Sequence, residues 1–159
     1  MPTHRFIEIE LPTLSAIARA QLLDEQAPST CQLIWDALPI DQIVYHCIRC
    51  GSELFALVPP LADVPPAENR AMVPTPGDLW FVHFPADYRY NPPDYHGDPR
   101  GVFDLIIWYG PDSWALDPGG NMIAGNHWAR ICDGLDGFAR ASEEVWLRGT
   151  ERIVIRRAE

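Results

Sequence analysis

Two cysteines, Cys47 and Cys50, stand in the segment "YHCIRCG" from Tyr45 to Gly51. Thiolates at this spacing chelate zinc or form redox pairs. A structural zinc site needs four ligands, usually two such pairs, and the remaining cysteines, Cys31 and Cys132, are isolated. Redox pairs usually open a helix, which this one does not. On a strand, side chains three apart face opposite ways, so chelation would need a turn here. The pair is read as small buried residues in a strand. His46, just before it, is a candidate general acid or base, or else a hydrogen-bonded structural histidine. Glu68 and Asn69 follow a stiff Pro-rich approach. A carboxylate beside an amide either anchors a small ligand carrying N–H and C=O groups or caps a loop. Tyr109 precedes Gly110 and Asn126 follows Gly125. Such glycines let backbone approach a ligand, where the neighbouring hydroxyl or amide makes contact, or they serve turn geometry alone.

The elements that must position these residues are legible from periodicity. Phe6–Leu11 alternates, with Ile7, Ile9 and Leu11 on one face and Glu8 and Glu10 on the other. Ile17–Leu23 is a second strand, forming a hairpin with the first. Pro28 suits the first turn of a helix that carries Leu33, Ile34, Ala37 and Leu38 and ends at Pro39. Ile43–Ile48 and Leu54–Val58 read as strands around a turn at Gly51 and Ser52. Pro59–Pro76 reads as irregular. Leu79–Phe84, Val102–Tyr109 and His127–Cys132 read as strands, the second so apolar that it belongs at the centre of a sheet. A helix over Leu135–Trp146 has Asp133 available as its cap and ends at Gly149. Ile153–Ile155 is a last strand placed to pair with the first. The long loop Pro85–Gly101 carries Tyr88, Tyr90 and Tyr95, which suit a lid or a contact between copies of the chain.

Composition narrows the function classes. A chain of 159 residues, 47% of them hydrophobic, fits one domain over 1–159. Net charge is −10, and all twelve basic residues are arginine. So acidic a surface repels phosphate backbones, so no nucleic-acid partner is expected. Without lysine there is no Schiff-base or P-loop chemistry. An anionic ligand would need a local guanidinium, and Arg49 and Arg70 are nearest to the residues above. His83, His96 and His127 show no metal-binding spacing, and no G-x-S-x-G elbow occurs. No metal and no cofactor are expected. No apolar run approaches the ~20 residues that span a bilayer, and the N-terminus lacks a signal peptide's apolar centre. The expectation is a cytoplasmic protein without a membrane partner.

The segments "LLDEQAPSTCQLIWDALP" (Leu22–Pro39) and "HWARICDGLDGFARASEEVW" (His127–Trp146) each resemble a strand-into-helix segment of the cyclophilin fold. They occur together with "PAEN" at 66–69, "PTPGDL" at 74–79, "WYG" at 108–110 and "AGNHWA" at 124–129. In that order they make the chain similar, from Phe6 to Ile155, to a family of small bacterial cyclophilin-like proteins of unknown function. The resemblance implies a mainly β fold, a closed barrel of about eight strands with two capping α-helices. It also implies a polar-lined pocket for a small organic molecule. His46 and Glu68 would be catalytic there, and Asn69, Tyr109, Asn126 and Arg49 would bind the ligand. Prolyl isomerases of the cyclophilin family carry an aromatic-His-Arg triplet. Cys47 stands here where that arginine would be, Arg49 comes two positions later, and the family's Gln-Gly-Gly is absent, so isomerase activity is not expected. Related domains in proteins resembling oxoprolinase and allophanate hydrolase subunits handle cyclic amides and ureido acids. The expected reaction is therefore acid–base work on a small amide or ureido compound. Glu68 would take a proton, His46 would shuttle it, and Tyr109 and Asn126 would orient the carbonyl. The alternative is a non-catalytic peptide- or protein-binding module.

Overall fold

Alternation builds the first hairpin in the computed structural model, which describes residues 4–89 and 98–159. In β1 (Phe6–Leu11), Ile7, Ile9 and Leu11 are buried; β2 (Ala16–Leu22) buries Ala16, Ala18, Ala20 and Leu22. The two pair antiparallel, from Phe6 opposite Gln21 to Leu11 opposite Ala16. On the outer face Arg156 reaches both Glu8 and Glu10. It lies on β9 (Thr150–Arg157), which fills the gap between β1 and β3 (Ile40–His46) and pairs with both.

The circuit continues through β4 (Glu53–Val58), β7 (Val102–Trp108), β6 (Asp78–Phe84) and β8 (Gly125–Asp133). Pairing of β8 with β2 then closes an antiparallel barrel of eight strands. Closure removes the open edges that a flat sheet would leave. One further strand, β5 (Arg70–Ala71), lies within the Pro-rich stretch read as irregular and pairs with β8 at Asn126 and Gly125.

Two helices share the core that lines the barrel. In α1 (Pro28–Ala37), Pro28 sits in the first turn, and Thr30, Cys31 and Ile34 are buried. In α2 (Leu135–Arg148), Phe138, Ala141, Ser142 and Val145 are buried, a single helical stripe. Cys31, Ile34, Phe138, Ala141 and Val145 join the barrel-lining residues in one apolar cluster. Asp133 does not cap α2. Gly134 takes the N-cap with φ 79°, and no side chain caps the turn. A Cβ at Gly134 would stand 2.7 Å from the Ile17 carbonyl oxygen, so β2 runs too close for any other residue. Gly149 ends the helix as the sequence indicates.

The barrel wall is covered on both sides along one stretch. Every residue of β7 is buried. Phe103, Leu105 and Ile107 face the inner core, whereas Val102, Ile106 and Trp108 join Trp80, Val82 and Phe84 of β6 in a second cluster. Ala115, Leu116 and Ile123, from the loop after β7, and Tyr88 pack over it. No helix among the described residues is long and apolar enough to cross a membrane.

Candidate functional site: an acid-floored pocket outside the barrel

Strand parity turns two carboxyls away from the barrel interior. β4 pairs with β7 so that Glu53 lies opposite Trp108, Phe55 opposite Ile106 and Leu57 opposite Asp104. Side chains alternate along a strand, so Glu53, Phe55 and Leu57 share the outer face with Asp104 and Trp108. Between this face and the loop after β7 lies a cavity of about 410 Å³. Tyr45, Phe55, Leu57, Phe84 and Leu116 form apolar walls, and Glu53 and Asp104 supply the acid groups. That volume lies within the range of small-molecule sites. Arg49 donates to the Pro118 carbonyl at 2.5 Å and so ties the loop across the cavity.

Both acids are buried, and among the described residues each leaves an oxygen without a partner: Oε2 of Glu53 and Oδ1 of Asp104. Burial pushes each carboxyl well above the ordinary range. The charge of Cys47 adds to the effect at both, and that of Asp104 at Glu53. A carboxyl raised in this way keeps its proton to higher pH than a free one and, while protonated, is a donor as well as an acceptor.

The Cys47–Cys50 pair borders the same cavity. β3 stops at His46 and not at Ile48, so the two cysteines lie on a turn rather than a strand. The Cys47 N–H donates to the Glu53 carbonyl at 3.0 Å, and the Trp114 N–H to the Cys50 carbonyl at 2.9 Å. Gly51 has φ 84°, and a Cβ there would sit 2.4 Å from the Asp112 carbonyl oxygen. The turn brings both sulfurs and a Glu53 carboxylate oxygen within 4.8 Å of one another. Among the described residues this is the one group of three or more potential metal ligands. A hydrogen bond from Cys50, joined by the backbone N–H groups of Arg49 and Cys50 and by the Arg49 charge, pulls the Cys47 thiol down to about 6. The same shared hydrogen bond and burial push Cys50 up.

His46 lines this pocket and a second cavity of about 260 Å³ at the barrel mouth, bounded by Tyr109, Ile48, Gly51, Glu143 and Trp146. Its Nδ1 lies 2.9 Å from the Cys47 carbonyl oxygen. A carbonyl only accepts, so Nδ1 carries the hydrogen. Burial lowers the pKa of the ring, which favours the neutral form. Nε2 therefore accepts from the Tyr109 hydroxyl at 2.6 Å. The Trp146 ring packs edge-on against His46 with centroids 4.8 Å apart.

The other sequence candidates gather elsewhere. Oε1 of Glu68 accepts the Thr30 N–H at 2.5 Å in the first turn of α1, whose N-cap Ala27 makes no side-chain bond. Asn126 donates to Thr30 Oγ1 at 2.9 Å and to the Pro66 carbonyl at 2.8 Å, and accepts the Glu68 N–H at 3.3 Å. Asn69 donates to the His127 carbonyl at 2.7 Å. None of these three lines the acid-floored pocket. The structure thus brings His46, Arg49 and Tyr109 together and leaves Glu68, Asn69 and Asn126 as a separate cluster. Nε2 of His83 meets the Arg100 carbonyl oxygen at 2.6 Å, and His127 lies 3.3 Å from Asp78, so these two histidines do not converge. His96, Tyr90 and Tyr95 lie outside the described residues. Tyr88 bonds Asp117 and packs on Phe84. Sequence reasoning missed Glu53 and Asp104. Asp104 had a signal, as the lone charge in the strand "VFDLIIW". Glu53 had the C-x-x-C-G two residues before it.

Residues 9–156 match the family described as "Protein of unknown function (DUF3830)", and the chain belongs to that family. No curated protein matches the sequence. Several solved structures share the fold, McbB and AF2241 among them. McbB, solved in complex with tryptophan, superposes with a TM-score of 0.67 at 18% identity, over 95% of this chain and 44% of its own. The chain therefore spans less than half the length of McbB. The hypothetical protein AF2241 from Archaeoglobus fulgidus, a solution structure, gives a TM-score of 0.54 at 24% identity over 98% of this chain and 95% of its own.

Proposed function

We propose that this DUF3830 chain binds a small, flat amide or ureido compound in the acid-floored pocket, with a protonated Asp104 as hydrogen-bonding partner and proton donor. One observation carries the reading. Asp104 is buried on an otherwise apolar strand, borders a cavity of about 410 Å³ and leaves Oδ1 without a partner among the described residues. A buried polar atom left unpaired is destabilising, and a ligand's donor would relieve it. A neutral carboxylic acid offers an O–H donor beside a C=O acceptor, and an amide offers the complementary pair. Tyr45 and Phe55, stacked with centroids 5.5 Å apart, supply a flat wall. The tryptophan bound to McbB supports a small-molecule ligand for this fold. In our reading a solvent water attacks the carbonyl carbon and gives its proton to neutral His46, backed by Tyr109, while Asp104 gives its proton to the leaving nitrogen; return of the proton from His46 to Asp104 restores both groups. Arg49 holds the loop that roofs the ligand. We assign Glu68, Asn69 and Asn126 to fastening the Pro-rich loop. The order of the motifs supports a cyclophilin-like reading of the barrel, while Cys47 in the arginine position argues against prolyl isomerisation.

The test is a thermal-shift panel of lactams, aryl amides, ureido acids and tryptophan, run with a chelator present. A ligand that raises the melting temperature does so by mass action. Asp104→Leu abolishes the shift. Asp104→Asn, which still offers a donor and an acceptor, keeps it but loses any turnover. A panel without a single shift, or a shift untouched in Asp104→Leu, overturns the reading.

One feature favours a binding module instead. Ile48, Trp146 and Leu147 are 78%, 49% and 83% exposed, and Ile48 and Trp146 border the barrel-mouth cavity. Peptide binding that is lost in Trp146→Ser while the small-molecule panel stays silent would select that reading.

A further inference from the structure

The turn that carries the two cysteines has the build of a metal knuckle. Gly51 lets the chain fold back without striking the Asp112 carbonyl. Glu53, the first residue of β4, then returns its carboxylate to the two sulfurs.

We propose that Cys47 Sγ, Cys50 Sγ and the Glu53 carboxylate hold one zinc ion, with its fourth coordination position facing the acid-floored pocket. A tetrahedral zinc binds sulfur at ~2.3 Å and carboxylate oxygen at ~2.0–2.2 Å, which sets ligand atoms ~3.5–3.8 Å apart. The three donors already lie within 4.8 Å of one another, so small side-chain rotations close the site. The second observation is independent of spacing. Glu53 is buried, and its Oε2 has no partner among the described residues, so a cation there answers an unmet need. Two thiolates select zinc or a similar borderline metal over magnesium or calcium, which take oxygen ligands. On uptake the Cys50 thiol, the Glu53 carboxyl and the fraction of Cys47 still protonated release their protons to solvent. The dication against three anionic ligands leaves one negative charge beside the Arg49 guanidinium. Three protein ligands and one open position is the arrangement of a catalytic rather than a structural zinc. The ion would polarise a carbonyl bound in the pocket proposed above, but its uptake needs no such ligand.

The experiment uses the full chain, stripped by chelator and kept reduced, titrated with cobalt(II) alone. The expected result is one cobalt per chain, intense tetrahedral ligand-field bands and a thiolate-to-cobalt charge-transfer band, all displaced by zinc and untouched by magnesium. Cys47→Ser and Cys50→Ser each remove the charge-transfer band. Glu53→Gln keeps it and weakens uptake by about tenfold or more. Because a cysteine variant is open to misfolding, alkylation of the unaltered chain gives a second readout. Zinc protects Cys47 and Cys50, while exposed Cys132 reacts at the same rate throughout. The proposal is overturned by absence of the charge-transfer band, by a band that survives Cys47→Ser, by equal alkylation with and without zinc, or by a Cys47–Cys50 disulfide that resists reductant. These readouts contain no organic ligand and the thermal-shift panel contains no free metal, so either proposal can fail alone.

Discussion

Asp104 sits between Phe103 and Leu105 on a strand with no exposed residue. Burial of its unpaired Oδ1 works against folding. Asp104→Leu should therefore stabilise the ligand-free protein by about 1–3 kcal/mol in urea denaturation, while abolishing ligand response. Destabilisation by that replacement would mean that the carboxyl has a structural partner. The proton held by Asp104 has its own signature. Its folded pKa is raised by burial and by the Cys47 charge, so the native state binds a proton that the unfolded chain releases above ~4. This contribution is fully present below the unfolded value and is lost as pH climbs through the folded one, by about 1.4 kcal/mol per pH unit. Asp104→Asn should flatten that part of the stability–pH curve. His46 was legible as chemistry from its type. Its hydrogen bond to Tyr109, 63 residues away, depends on how β3 meets the end of β7.

At the scale of elements, α1 begins without a cap of its own. Ala27 has no side-chain acceptor, and Pro28 removes one donor from the first turn. Glu68 reaches in from the Pro-rich loop to take the Thr30 N–H. We expect Glu68→Ala to cost about 1 kcal/mol of stability, as loss of a cap does, and to leave ligand binding at Asp104 unchanged. Loss of binding without loss of stability would return Glu68 to the site. The sequence singled out Glu68 and Asn69 as a polar pair on a Pro-rich approach. It carries no mark of the α1 terminus that Glu68 meets, because that contact spans 38 residues. The turn at Cys47 was hidden for a local reason: "IVYHCI" reads as unbroken β-forming residues, and tertiary contacts from Trp114 and Asp112 end the strand early. Asp133 looked like a cap by type, but the approach of β2 leaves room there only for glycine at 134.

For the whole molecule, the hydrophobic alternation of β1 and β2 and the nearly all-apolar β7 announced a barrel, and the closed eight-stranded sheet bears that out. The outer pocket was not announced, since a strand apolar but for Asp104 shows that both faces are covered without showing what covers the second. Here the loop after β7 does so, and a cavity remains beneath it. β9 holds the barrel shut by pairing with β1 on one side and β3 on the other. A chain ended at Gly149 should lose cooperative melting and associate through its open edges; a cooperatively folded truncated monomer would show that closure is dispensable. The most direct test of the central claim is a map of ligand contacts over the whole chain, by amide and methyl NMR shifts during titration with the tightest compound of the panel. Shifts centred on Phe55, Leu57, Asp104 and Leu116 are the predicted result. Shifts centred on Glu68, Asn69 and Asn126, or confined to Tyr109 and Trp146 at the barrel mouth, would contradict it.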